Sequence, residues 1–305
     1  MAQLWSRGGL SWLELARRTW REGWKDEVFG QAARLAFYHF LAIFPAILLL
    51  LFLLLRIASP GDHLRHELIQ SFRQLLPEPA CALLTGMIGE LTGKATLGIG
   101  FLSGLLGAVW ASINGTWAMM SGLNIAYEVK EERPWWKLAA IAIGLTVSLA
   151  VLGILSLGLI FYGNQAVRAL ASQMGLPPGA TLLLLIVRLP ILILLLLTAF
   201  ALLYRFGPNL ANRKWEWSTP GAVVAAVLWV SASVLLRAYF TYSKSYEQMY
   251  GHLAPVSMFL LWLYTTSAAI LIGGELNSEI EKAADQKEKH YDPHLAAQDD
   301  GRSGR

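Results

Sequence analysis

From Thr181 to Tyr204 the chain reads TLLLLIVRLPILILLLLTAFALLY, apolar around the whole circumference a helix would present. At ~1.5 Å per residue these two dozen residues cover the ~30 Å hydrocarbon thickness of a bilayer. The stretch predicts a membrane span, and the rest of the chain must fold to suit it. Arg188 and Pro190 fall near its middle. A central arginine costs ~2.5–3.5 kcal/mol on insertion scales, so neighbouring helices have to supply Arg188 with polar or watery surroundings.

The 305 residues are 55% hydrophobic and only 15% charged, with mean hydropathy +0.46, which places the chain among integral membrane proteins before any motif is read. One polytopic domain is the economical organisation. A formal charge of +4 could suggest a nucleic-acid partner, but lysine and arginine on cytoplasmic loops give the same excess, and no nucleic acid is expected. Cys81 stands alone, which excludes an intrachain disulfide, a Cys-rich metal site and a Cys-x-x-Cys redox pair. No cofactor is implied. The start, MAQLWSRGGLSWLELARR, lacks the charged-then-apolar layout of a signal peptide, so no cleavage is expected.

The expected fold is an all-α polytopic membrane protein with six transmembrane helices and further amphipathic helices. Residues 1–30 form a cytoplasmic interfacial segment. Ser11 and Glu14 have capping-box spacing, and Trp12, Leu13, Ala16 and Trp20 recur at helical intervals beside Arg17, Arg18 and Arg21. Such a helix either lies among headgroups or packs on the cytoplasmic ends of the bundle. Residues 31–282 form the membrane domain, with spans at about 35–55, 97–119, 136–162, 181–204, 220–242 and 253–276. Between the first two, an outer segment at 58–96 alternates apolar and charged residues at helical spacing and is broken by Pro77 and Pro79. Gly100 and Gly104 make a GxxxG in the second span, which suits close helix packing. The tail, 283–305, is charged and is expected to be disordered.

Loop charges give the orientation. Arg7, Arg17, Arg18, Arg21, Lys25 and Arg34 precede the first span, and Lys130, Arg133, Lys137, Arg205, Arg213 and Lys214 follow spans two and four. With Lys282, Lys287, Lys289, Arg302 and Arg305 of the tail, seventeen basic residues share one side, against six on the other. Both termini are therefore expected in the cytoplasm, with Trp135, Trp136, Trp215 and Trp217 at that interface and Cys81 on the opposite side.

The stretches FGQAARLAFYHFLAIFPAILLLL (29–51), LNIAYEVKEERPWWK (123–137), YGHLAPVSMFLLWLY (250–264) and GGELNSEIEK (273–282) resemble, in order and spacing, those of the YihY/BrkB family of bacterial inner-membrane proteins. The resemblance runs from about residue 15 to 282 and implies the six-span layout and inner-membrane location. Members once carried the label ribonuclease BN, and others are described as virulence-associated or as transporters. The family's molecular activity is poorly defined, so the resemblance implies architecture and compartment rather than a mechanism.

The residues themselves do not read as a nuclease, which would need clustered metal-holding carboxylates or histidines, or a basic groove with aromatic platforms. His63 and His66, close at helical spacing, fall on the outer segment, where a solvated face explains them, and His290 and His294 fall in the tail. The chain is not read as an enzyme.

The charged residues within spans carry more information. Arg188, counted from Gly179, sits ~14 Å deep with no acidic residue at matching depth on another span. Either the carbonyl of Ile186, freed by Pro190, and nearby Ser, Thr, Asn or Tyr groups satisfy it, or it draws an anion into a polar cavity. Asn114, Asn124 and Tyr127 are candidates to line that cavity. Glu275, about 22 residues into its span, is expected near the cytoplasmic interface, paired with Arg34, Arg133 or Arg213, or else serving gating or proton coupling. Arg237 is close enough to the outer surface to snorkel. Pro45 and Pro190 each fall about ten residues into spans one and four, and such matched helix breaks suit two inverted halves.

The expected function is therefore an inner-membrane transporter or lipid-handling protein for an anionic or amphipathic molecule, with membrane lipids as partners. A non-transporting scaffold or envelope-assembly partner is the alternative, and the sequence leaves an oligomer open. A cavity reaching Arg188 would favour transport.

Overall fold

A computed structural model describes residues 9–57, 99–175, 177–210, 219–242 and 251–291. Among them the secondary structure is helical: α1 (Trp12–Lys25), α2 (Val28–Ile57), α3 (Ile99–Ala126), α4 (Trp135–Gln173), α5 (Pro178–Phe206), α6 (Pro220–Tyr242) and α7 (Ala254–Tyr291), the last preceded by a 3₁₀ turn at Gly251–Leu253. Each of the six segments expected to span falls on one of α2 to α7. Among the described residues, Trp135–Gln165, Ile186–Phe206, Pro220–Phe240 and Ala254–Lys287 are long and apolar enough to cross a membrane. Their outward faces carry large exposed apolar side chains such as Ile154, Phe161, Ile193, Leu194 and Leu235, a surface that suits lipid and not water. The outer segment 58–96 with Cys81, the loop holding Arg213, Trp215 and Trp217, and the tail from residue 292 lie outside the described residues.

The described residues form two compact units, one running up to Ala36 and resuming at Thr116, the other from Phe37 to Gly115. In the smaller unit α2 and α3 lie close enough that a Cβ on Gly115 would touch His39, Tyr38 and Ala42 at ordinary van der Waals distances. Helix α2 continues through Pro45.

The larger unit is organised by α7, which packs on α6 and on α1, while α5 packs on α4 and α6. Its core gathers Val28, Ala32 and Leu35 of α2, Met119 and Leu123 of α3, Phe200, Leu203 and Tyr204 of α5, Ala222 and Ala225 of α6, and Ile270 and Leu271 of α7. Small residues set the helix spacing. A Cβ on Gly273 would collide with the Tyr204 hydroxyl, the Gly221 carbonyl and Ala225, and one on Gly221 would collide with the Gly273 carbonyl and Asn277. On the other side of α7 a Cβ on Gly274 would lie 2.9 Å from Leu123.

Hydrogen bonds fix the same crossing. Thr219 stands before the first residue of α6, Pro220, a position where proline costs no hydrogen bond. Its hydroxyl accepts from the Ala222 N–H at 3.1 Å, a helix N-cap, and from Asn277 Nδ2 at 3.0 Å. Asn277 Oδ1 accepts the Gly221 N–H at 2.9 Å, so a buried α7 amide closes the start of α6. Tyr204 completes the crossing by donating to the Ile270 carbonyl at 2.8 Å.

Helix α1 begins as its sequence expects, with the Ser11 hydroxyl accepting the Glu14 N–H at 3.2 Å. Leu15 is fully buried against Leu276 and Ile280, so α1 packs along α7, while Trp12, Leu13, Trp20 and Trp24 remain exposed. One expectation needs correction. Residues 283–291, assigned to a disordered tail, continue α7. Ala283, Ala284, Gln286 and Lys287 are strong helix formers, and Lys282 ties the turn before them to Glu279 at 3.0 Å and to Glu128 at 3.1 Å.

The crossing gives a direct test. Gly273→Leu should force α6 from α7 and cost ~3 kcal/mol or more, because the colliding atoms include backbone that cannot swing aside. Gly153→Ala, with nothing within 4 Å, should be neutral or stabilise by ~0.5–1 kcal/mol. Unfolding of both variants in mixed micelles, followed by circular dichroism, checks the contrast.

Candidate functional site

The residues singled out by sequence separate into two places. Asn164 stands nine residues before the end of α4, and Arg188 ten residues after the start of α5. The two therefore meet at equal depth, ~14 Å from the connecting turn. Arg188 Nη1 donates to Asn164 Oδ1 at 2.9 Å, and its Nε is buried without a hydrogen-bond partner. Gly163 makes the room, since a Cβ there would lie 2.9 Å from Arg188 Cδ. Asn164 was not singled out in the sequence, where only its residue type, among several, was anticipated.

Asn124 and Tyr127 are not near Arg188. Asn124 accepts the Asn209 N–H at 2.7 Å and donates to Glu131 at 2.9 Å, so it belongs to the loop ends beyond Phe206. Phe206 is eighteen residues past Arg188, ~27 Å along α5. Asn114, in the smaller unit, donates to the Trp110 carbonyl at 2.8 Å. A single pocket of Arg188 with Asn124 and Tyr127 is not what the chain builds.

Arg133 serves as a clamp. Its Nε and Nη2 reach Glu131 at 2.7 and 2.6 Å, while Nη1 and Nη2 donate to the Phe206 and Gly207 carbonyls at 3.1 and 2.9 Å. This ties the loop after α3 to the end of α5. The guanidinium hydrogen bonds, ahead of the opposing cost of burial, hold the Glu131 carboxyl below the usual carboxylate range. Arg34 donates to Ser121 at 3.3 Å.

Both arginines are thus engaged away from Glu275, and Arg213 lies outside the described residues. Glu275 is 1% exposed, and no N–H or neutral hydroxyl reaches either carboxyl oxygen. The ion pair expected with Arg34 or Arg133 is not formed: Arg133 is held by Glu131 and two carbonyls, and Arg34 reaches Ser121. What lies beside Glu275 is instead Asp26, in the turn between α1 and α2, the two carboxyls within hydrogen-bonding reach of each other. Burial, and then the charges of Glu128 and Glu22, push the Asp26 carboxyl above its ordinary range. Glu27, next to Asp26 in the chain, and Glu128 both take left-handed backbone at φ 52°, a conformation that glycine adopts more easily.

A cavity of about 170 Å³ lies beside Glu275. Helix α1 contributes Ala16, Thr19, Trp20 and Gly23, α2 contributes Val28 and Phe29, and Val224, Ile272, Glu275 and Leu276 come from α6 and α7. The surface of the cavity is apolar, with the polar atoms of Glu275 and Thr19 turned out of it, and the buried Thr19 hydroxyl has no hydrogen-bond partner. Trp20, Trp24 and Phe29 form an aromatic group at its edge, with ring centroids 5.4–6.0 Å apart. Sequence reasoning identified Glu275 but not Thr19 or Asp26; the only signal was that α1 buries a threonine on its apolar face. Among the described residues no group of three or more His, Cys, Asp or Glu is arranged to hold a metal.

Three expectations follow. Arg133→Leu should strand Glu131 and two carbonyls and cost about 3 kcal/mol of stability. Because Glu131's folded pKa is depressed, its contribution is present above the unfolded value and fades as pH falls through the folded one, so the variant should also lose that acid-side decline. Asp26 has the opposite sign: its raised folded pKa makes stability fall as pH rises out of the ordinary carboxylate range, and Asp26→Asn should remove that fall and leave the protein more stable at pH 7. Melting temperatures of the variants from pH 4 to 8 test both. For Arg188, Asn164→Leu should cost ~1–3 kcal/mol by leaving a donor unmatched, whereas Arg188→Leu in the same background should recover stability, as double-variant unfolding would show.

Comparison with known proteins completes the picture. The chain is 25% identical over 253 residues to the ribonuclease-like protein YfkH of Bacillus subtilis (strain 168), covering 83% of this chain and 90% of that one. It is 26% identical over 267 residues to a UPF0761 membrane protein of Pseudoalteromonas translucida, covering 83% and 81%. A UPF0761 membrane protein of Tolumonas auensis is 28% identical over 287 residues, covering 91% and 90%. No solved structure matches the chain. Residues 19–298 match the family described as Virulence factor BrkB, which takes in all but the ends of the sequence, and this membrane protein belongs to that family.

Proposed function

We propose that the protein is a six-span bacterial inner-membrane protein, both termini cytoplasmic, that takes up an amphipathic molecule at the cytoplasmic headgroup level as a lipid-handling protein or transporter. The observation that carries this reading is the apolar cavity between α1, α6 and α7, with Glu275 and Thr19 among the residues around it. A cavity with apolar walls and one or two polar groups is the usual form of a small-molecule site. The exposed Trp12, Trp20 and Trp24 beside Arg17, Arg18 and Arg21 suit α1 to the headgroup layer, where aromatic rings and basic side chains settle together. The cytoplasmic orientation rests on the asymmetry of seventeen basic residues against six.

The anionic branch of the reading has less support. Arg188 already donates to Asn164 and packs on Gly163, which favours a scaffold role for that residue. Lipid extracted from protein purified in mild detergent tests the proposal: stoichiometric co-purification of an amphipathic molecule, reduced when Val224→Trp fills the cavity, is expected. A scaffold is the better reading if no such molecule is retained. A reporter fused after residue 282 should be active only in the cytoplasm.

A further inference from the structure

Helix α1 is tied to α7 at two points. Near its start Leu15 is buried against Leu276 and Ile280, and at its end the Asp26 carboxyl meets that of Glu275. Between these points Ala16, Thr19, Trp20 and Gly23 line the cavity. The first contact is apolar packing, whereas the second joins two acids. Both Glu275 oxygens and Asp26 Oδ2 are buried, and no N–H or neutral hydroxyl donates to any of the three. An ionised carboxyl only accepts, so two of them can share a hydrogen bond only when one carries a proton.

The bases nearby are already engaged and cannot replace that proton. On α1, Glu22 holds Lys25 at 2.7 Å and Arg21 at 3.4 Å. On α7, Lys282 is shared by Glu279 at 3.0 Å and by Glu128, beyond the end of α3, at 3.1 Å. Glu27 follows Asp26 in the turn, and the Tyr127 ring lies by Gly274. Helix α2 has no ionisable side chain before Arg34, which reaches Ser121, and α6 has none before Arg237 at its far end. Burial, and then the charge of Glu128, hold the Asp26 carboxyl above its ordinary range, in keeping with a retained proton.

Loss of the proton would set two carboxylates against each other beside Glu22 and Glu128, in surroundings that screen them less than water does. The joint that would yield is the α1–α2 turn, where Glu27 already takes left-handed backbone at φ 52°. Asp26 is half-buried and Glu275 1% exposed, so Asp26 gives the proton its way out to solvent.

We infer that Asp26 and Glu275 together bind one proton, which latches the α1–α2 turn to α7, and that release of this proton to solvent frees the end of α1 beside the cavity. The latch does not depend on what the cavity takes, so it stands or falls apart from the lipid-handling reading.

Infrared spectra of full-length protein in neutral detergent at pH 7 test the proton. The parent should show the carbonyl stretch of a protonated carboxylic acid that Glu275→Gln, whose amide can still donate to Asp26, lacks. Thr19→Cys in a Cys81→Ser background reports the latch, since Thr19 is buried on α1 beside the cavity. Its alkylation by N-ethylmaleimide is divided by that of the same cysteine in the Glu275→Gln protein, which removes the titration of the thiol itself. The closed state holds the proton and the open state does not, so rising pH favours opening. The ratio should climb several-fold per pH unit, up to the ~tenfold that coupling to one proton allows. A missing acid band, a band that survives Glu275→Gln unchanged, or a ratio that stays flat from pH 6 to 9 overturns the inference. If Glu275→Gln does not fold, Asp26→Asn replaces it in both measurements, and a band that it neither shifts nor removes overturns the inference.

Discussion

Two glycines that touch across a helix crossing hold the larger unit together. With no side chain on Gly221 or Gly273, α6 and α7 approach until backbone meets backbone, and inside a bilayer such packing substitutes for the hydrophobic effect that holds soluble helices together. The polar groups that this contact would otherwise strand are supplied within it: Asn277 closes the start of α6, Thr219 receives Asn277, and Tyr204 reaches the Ile270 carbonyl. In a low-dielectric interior an unsatisfied group among these would be costly, so the crossing tolerates little change in angle. The neighbouring Gly274 gives Leu123 the same close approach on the opposite side.

That rigid crossing lies within a few residues of the cavity. Glu275 follows Gly274 directly, and its backbone is set by glycine packing on both flanks, so the carboxyl cannot withdraw towards water without disturbing α3 or α6. Helix α1 then closes over it, held by Leu15 against Leu276 and Ile280. The same interaction that brings the helices together therefore holds an acidic group in the packed interior, beside a second carboxyl at Asp26.

Much of this architecture is legible in the chain itself. A run such as Thr181–Tyr204 leaves one physical outcome, and the apolar runs mark all six long helices. Ser11 with Glu14 marks the start of α1 because capping is local. The partners of the charged residues are less legible. Glu275 looked like half of an ion pair because arginines occur at matching depth, yet sequence depth does not reveal that Arg133 is better served by Glu131 and two carbonyls. Asn164 and Arg188 were a recoverable pair, since equal distances from the α4–α5 turn bring them together, but that comparison needs the true end of α4, eleven residues beyond the span that hydropathy suggests. Thr19 lies one helical turn after Leu15 on the buried face of α1, a position that periodicity marks without giving its role, and Asp26, in a turn, carries no periodic signal.

Helix α7 has one more property that follows from its length. It runs unbroken for 38 residues, from the bilayer to Tyr291, and Glu275 stands near its middle. Of the sixteen residues beyond the carboxyl, those up to Ala283 are packed beside α1 and tied to Glu128, and the last eight carry the helix ~12 Å past the last buried side chain. The helix that anchors the packed unit thus also ends as a short post, with Asp285, Gln286 and Lys287 turned to the exterior.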